Sequence, residues 1–489
     1  MRPRRRGHDG AGHVRGRAGS PPDVAAADEH APLRFELVAD DDDPADDDLP
    51  EPRAPAVVPA PGGGSPGPRR RWYAHPVPWV AAVTALALGG SFLATRVIEA
   101  AQRVEVAALD GGLRPIEAPL EVSWSVPLDP GGAVIAGPGV VVTHGDGLTA
   151  YAVDDGTPVW RSEAVGELAT CVPRADRSPT EVVVCLTPRD GPGVLLTVVQ
   201  AASGRTLGER VVEVVGQAVV PVGDADVVRA RWDEGDVVLV REEAATGVVR
   251  WERRVERERS GSMQLAVRSA GSGIVLDVDR GVVTLMAPGV VATFTEDGTV
   301  LKEGDVWTVV RLPDGRYVGN EYGSGTTTVF TAAGEPRVEV RGRAVEAPLS
   351  DGSVPGVLLM NTFRGVAGVD AVTGAPLWTL ATTGSRPVVR VDGLVVLRTE
   401  TTLHGVDVAS GALRWESSLT DGATWPALTD GRSLLVAEGE GGRRQHLVSI
   451  ALADGTVEWR WPIPERTYHA FTSEGRLFLL GTDRLSAVS

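Results

Sequence analysis

From about residue 121 onward the apolar positions come in short valine and leucine runs, among them GVVVTHG, EVVVCL, DVVLVRE, GLVVLRT and SLLVAEG. Each run is bounded by glycine, aspartate or proline, the pattern of many short antiparallel strands. A second pattern recurs between them: a small polar residue, a glycine and, four residues later, a tryptophan. It stands in AVDDGTPVW (152–160), DAVTGAPLW (370–378), DVASGALRW (407–415) and ALADGTVEW (451–459). Alignment on the turn glycine gives eight units, at Gly156, Gly204, Gly247, Gly298, Gly334, Gly374, Gly411 and Gly455. The spacings are 48, 43, 51, 36, 40, 37 and 44, with a mean near 43. That period, with about four strands per unit, predicts the blades of a β-propeller.

The pattern has a physical reason. Aspartate, threonine or serine before glycine supplies a tight hairpin in which glycine takes the positive φ at no steric cost. Asp370 and Asp407, four residues before their glycines, are placed to accept hydrogen bonds from local backbone. The tryptophan then falls on the last strand of its blade, where a large ring can cover the apolar seam to a neighbouring blade. No blade buries its faces alone, so the seams make the core.

Ring closure is legible as well. The segment GRLFLLGTDRLSAVS holds two strands without turn and tryptophan, and EVSWSVPL (121–128) is a tryptophan strand with no strands before it. Joined, they complete one blade. Eight units plus this blade would make nine, more than propellers normally have. One middle unit is therefore read as spurious, and the expected fold is an all-β, eight-bladed propeller over 121–489, with seven blades as the alternative.

The repeat resembles that of pyrroloquinoline-quinone-like (PQQ-like) β-propellers, with Trp160, Trp251, Trp378, Trp415 and Trp459 matching the docking tryptophan of that family, behind Gly156, Gly247, Gly374, Gly411 and Gly455. The resemblance covers about three-quarters of the chain and is sharpest in the first unit and the last three. At the docking position Gly208, Lys302 and Val338 depart from it. The family includes quinoprotein dehydrogenases and a non-enzymatic lipoprotein of the bacterial barrel-assembly machinery. The dehydrogenases resemble one another in an adjacent Cys-Cys disulfide over the quinone and in acidic residues around calcium. This chain has no Cys-Cys, so the resemblance implies no cofactor.

The first 120 residues change the picture. Residues 1–71 hold 12 prolines, 9 glycines, 11 arginines and 13 carboxylates, including the run DDDDPADDDLPEP. That composition buries too little apolar surface to offset chain entropy, so a disordered tail is expected. From Val77 to Thr95 no residue is charged, and the stretch suffices to cross the ~30 Å hydrocarbon layer. Trp72, Tyr73 and Trp79 suit an interfacial belt. Residues 72–98 are read as an uncleaved transmembrane anchor and 99–120 as a stalk. Arg69, Arg70 and Arg71 precede the span, so the tail is expected in the cytoplasm and the propeller outside the plasma membrane.

Charge and candidate chemistry narrow the function. Of 48 basic residues only Lys302 is lysine, and the net charge of −17 argues against nucleic acid. The single lysine, between Leu301 and Glu303, excludes a Walker loop. The serines of YGSGT and AGSGI do not fit a nucleophile elbow. The histidines show no paired ligand spacing, so no metal and no catalytic residue is assigned. Cys171 and Cys185 flank a polar loop; a reversal near Arg177 and Ser178 would bring them opposite each other on adjacent strands, within reach of a disulfide. Two buried free thiols are the alternative. The expected function is a membrane-anchored, extracytoplasmic scaffold or assembly factor that binds protein on the propeller and is not an enzyme. A small-ligand or glycan sensor is the first alternative, and a quinone-dependent dehydrogenase the second.

Overall fold

The computed structural model describes residues 106–489 apart from 110, 117–119, 130–131, 175–178, 192, 214–215, 258–272, 305–306, 322–323, 383, 421–425 and 440–444. The tail expected over 1–71, the membrane helix expected over 72–98 and residues 99–105 of the stalk lie outside these residues. Among the described residues no helix is long and apolar enough to cross a membrane.

Every named element is a strand, and the strands form nine sheets. Blade 1 is typical: Val134–Gly137, Val140–His144, Leu148–Ala152 and Pro158–Ser162 pair antiparallel in chain order. Blades 2 to 8 follow over 170–212, 219–255, 274–303, 307–341, 343–380, 386–418 and 428–462. Blade 9 takes three strands from 467–488, and its fourth is Val122–Pro127, paired antiparallel to Arg484–Val488. The closing blade is therefore built as expected from EVSWSVPL and the last strands.

The count corrects the expectation of eight or seven blades. No middle unit is spurious: Gly204, Gly247, Gly298 and Gly334 each join the third and fourth strands of a separate sheet. Nothing in a blade's local sequence forbids a ninth neighbour. Blade number follows from the angle between successive blades, and the turn-and-tryptophan pattern does not encode it.

The core is distributed over nine apolar clusters, one at each junction between consecutive blades. Val142 and Leu148 of blade 1 meet Val183 and Cys185 of blade 2. In the same way Leu359 of blade 6 meets Val395 and Leu397 of blade 7. Leu394 and Val396, on the opposite face of the same strand, join the cluster with blade 8. Both faces of an inner strand are thus buried, which is why these strands read as continuous apolar runs instead of alternating ones. Phe471 and Phe478 of blade 9 stack with centroids 5.3 Å apart and pack with Val134 and Val141 of blade 1, closing the ring.

Two sheets gain a short fifth strand from a connecting segment: Gly216–Gln217 pairs parallel to blade 4, and Leu349–Ser350 parallel to blade 7. The described part of the segment expected as a stalk lies on the propeller. Leu113 N–H donates to Thr429 O at 2.8 Å and Arg114 N–H to Gly475 O at 2.7 Å. Val106 and Leu113 are buried in the clusters of blades 7–8 and 8–9 respectively.

Candidate functional site

The repeated glycine sits in the hairpin between the third and fourth strands, and it answers to two constraints at once. Its φ is positive, +68° at Gly156 and +73° at Gly411, a region that side-chain-bearing residues rarely adopt. The tryptophan of the preceding blade also lies flat against it. A Cβ on Gly156 would fall 2.5 Å from the ring of Trp124, and one on Gly411 would fall 2.5 Å from Trp378. Gly204 meets Trp160, Gly298 meets Trp251 and Gly455 meets Trp415 in the same way. Each indole then donates its Nε1–H to the next blade's backbone. Trp160 reaches Ala201 O at 2.9 Å, Trp378 reaches Val408 O at 2.9 Å and Trp415 reaches Leu452 O at 2.7 Å. Glycine and tryptophan of one repeat therefore serve different junctions: the glycine receives the previous blade, the tryptophan docks on the next.

The departures from the pattern have local substitutes. At Gly208 a Cβ would lie 2.3 Å from Ala245 O, so the next turn occupies the place of a ring. Two residues on, Arg210 donates Nε–H to Ala244 O at 3.1 Å, the carbonyl three residues before Gly247 that an indole would otherwise engage. Its guanidinium covers Gly247 and, with Arg229, holds the buried carboxylate of Glu242 at 2.5 and 2.9 Å. Around Lys302 and Val338 the neighbouring turns are covered by aliphatic groups, Leu301 against Gly334 and Val340 with Val338 against Gly374. Trp459 packs partly buried in the cluster of blades 8 and 9, beside Ile116 and Leu113 of the N-terminal segment.

Cys171 and Cys185 form a disulfide, directly opposed in the first antiparallel pair of blade 2 and buried at the junction with blade 1. The free-thiol alternative is set aside.

The aspartates of the turns act as anticipated. Asp370 Oδ1 accepts the N–H groups of Val372 and Thr373 at 3.0 and 2.7 Å. Asp407 accepts the Ser410 N–H at 2.9 Å and also pairs with Arg414. The Arg414 guanidinium, with the Ser410 hydroxyl and N–H, holds the Asp407 carboxyl at about 2, below its ordinary 3.8. A depressed carboxylate adds stability that is complete above the unfolded value and is lost as pH falls towards the folded one. Thermal melts of the parent should accordingly drop more steeply from pH 4 to pH 2 than those of Asp407→Asn. Parallel profiles would mean the turn contacts are absent in solution.

Convergent chemistry is sparse. Among the described residues no group of three histidine, cysteine or carboxylate side chains is placed to hold a metal. His144 Nε2 lies 3.4 Å from Gly166 O, and His404 Nδ1 lies 3.5 Å from Glu416. A small cavity of about 10 Å³ opens between Leu312, Asp314, Glu346 and Arg390. Burial pushes the Glu346 carboxyl above its usual range, opposed by Arg390 at 3.7 Å. The space is of the order of a single water.

Residues 362–473, from the end of the second strand of blade 6 into blade 9, match a PQQ-repeat family model described as outer membrane protein assembly factor BamB. Similar solved structures include BamB from Moraxella catarrhalis, at 14% identity and a TM-score of 0.37, covering 76% of this chain and 98% of that one. A quinohemoprotein alcohol dehydrogenase from Comamonas testosteroni matches at 12% identity and a TM-score of 0.39, over 76% of each chain. A computationally designed protein, Ika8, matches at 13% identity and a TM-score of 0.38, covering 78% of this chain and 99% of that one. No curated protein matches significantly.

Proposed function

We propose that this PQQ-like β-propeller is a protein-binding scaffold or assembly factor, anchored in the plasma membrane by residues 72–98 and held outside the cytoplasm. The observation that carries the reading is the match of residues 362–473 to the assembly-factor model. The flat rims of a propeller suit it to this work, because turns and connections from many blades come together on one surface while the seams keep the frame rigid. The anchor rests on the uncharged stretch 77–95, and its orientation on Arg69, Arg70 and Arg71. The Cys171–Cys185 disulfide is in keeping with an oxidising compartment.

Crosslinking in intact membranes followed by capture through the propeller tests the reading. Discrete protein partners should be recovered, and should persist when residues 1–71 are deleted. Protease added to intact cells should cut within 121–489 and spare 1–70. Digestion of the tail with protection of the propeller would reverse the orientation and remove the extracytoplasmic role.

A further inference from the structure

Arg386 opens the first strand of blade 7, Arg386–Val391, and Arg398 closes the second, Leu394–Arg398. The two stand directly opposite in the antiparallel ladder. Opposed residues project from the same face, with Cβ atoms ~4.5–5.5 Å apart. Leu394 and Val396 turn towards blade 8, so strand alternation turns Arg398 the same way. Arg398 is 5% exposed, whereas Arg386 is open to solvent.

A buried guanidinium normally finds carbonyls or a carboxylate, since its donors are costly to leave dry. The other buried arginine of this blade does so: Arg390 donates to the carbonyls of Ser353, Val354 and Val357 and faces Glu346. Neither Arg386 nor Arg398 makes a side-chain hydrogen bond or ion pair among the described residues. Among the described residues the neighbouring carboxylates are engaged elsewhere or pair with neither. Glu438 accepts from Thr420 N–H at 2.6 Å and from Arg460 at 3.1 Å, and Glu416 faces His404. Glu400, in the turn after Arg398, pairs with neither arginine. Burial and the like charge of Arg386 both weaken the protonated form of Arg398. An anion seated between them would relieve both.

The surroundings select the kind of anion. Phe363, 87% exposed, tops the turn at 363–364 of blade 6, with the Arg364 guanidinium 5.3 Å from its ring centroid. That turn abuts the connection leading to Arg386: a Cβ on Gly365 would lie 2.2 Å from Leu380 O and 2.5 Å from Thr382 N, and the Ser385 hydroxyl bonds Thr382 O at 2.8 Å. An exposed aromatic ring beside an arginine, as Phe363 is beside Arg364, is the composition of protein-interface anchors. A chain of net charge −17 disfavours an extended polyanionic surface. One carboxylate, by contrast, needs only the local pair, and guanidinium forks match its two oxygens.

We propose that Arg386 and Arg398, at the end of blade 7 on the side turned towards blade 8, form a receptor for a carboxylate of a partner polypeptide. The proposal rests on the protein-binding reading above and assigns it a locus. Fluorescence polarisation of a fluorescein-labelled, C-terminally amidated peptide carrying a single glutamate, with the full chain in detergent, tests it. Binding should weaken at least about tenfold in Arg386→Gln and in Arg398→Met. The Tm of Arg398→Met should stay level or rise, because an unpaired buried charge is replaced by an apolar side chain of similar length. Undiminished peptide binding by Arg398→Met would overturn the proposal, as would a fall in its Tm, which would expose a structural partner. Displacement of the peptide by inorganic phosphate but not by succinate would overturn it in favour of a phosphoryl ligand. Should Arg398→Met still capture the parent's crosslinked partners, this locus fails and the scaffold reading stands. If the parent captures none, the scaffold reading itself fails.

Discussion

Replacing Trp415 with alanine is expected to destabilise the propeller by about 3 kcal/mol or more, and Trp378→Ala by a comparable amount. Trp415 is 7% exposed, spans the junction of blades 7 and 8, and covers Gly455. Truncation would leave a void between two sheets and strand the Leu452 carbonyl that its indole now bonds. Leu413, on the same outer strand but 48% exposed, provides the control, and Leu413→Ala should shift stability by no more than about 0.5 kcal/mol. Urea unfolding of the three variants decides the matter. Equal and small losses at all three positions would mean that the junctions are not held by the tryptophans.

That contrast also marks where sequence reasoning worked. The position of Trp415 was legible because its spacing from Gly411 repeats at other blades. The reason for the glycine was legible only in part. Positive φ follows from turn chemistry, but the ring pressing on Gly411 belongs to Trp378, more than thirty residues away on another blade. A contact between repeats leaves no mark within one repeat. The same limit explains Gly208, which looked like a lost tryptophan. Arg210 does its work from two residues further on, and only the fold shows which carbonyl it reaches. Arg386 and Arg398 were invisible for a related reason: two arginines twelve residues apart become a pair only once strand register is known.

Removal of the Cys171–Cys185 bond is the second large effect expected. The bond closes a loop of sequence separation 14, for which the chain-entropy model gives about 3 kcal/mol. Both cysteines are buried against blade 1, at 3% and 0% exposure, so Cys171→Ala/Cys185→Ala would also lose packing. Comparing that double variant with the reduced parent separates the two losses. Thiol labelling of denatured, unreduced protein isolated from its native cells should find no free cysteine. Two labelled thiols would refute the bond and withdraw its support for an extracytoplasmic location.

The ninth blade sets a clock on synthesis. Ser123 bonds the carbonyl of Ala487 across 364 residues of chain. At ribosomal rates of roughly 5–20 residues per second, the first strand waits about 20–70 s for the last. During that wait Val134, Val141 and Val153 of blade 1 present an apolar flank with no Phe478 to cover it. Each newly made blade can cover its predecessor, so the exposed face is inherited along the growing chain while the first one stays open. A nascent chain of this design therefore carries two sticky ends until Arg484–Val488 arrives. A frameshift within the codons for Arg484–Val488 would leave both ends open for good, in a protein whose other eight blades are already built.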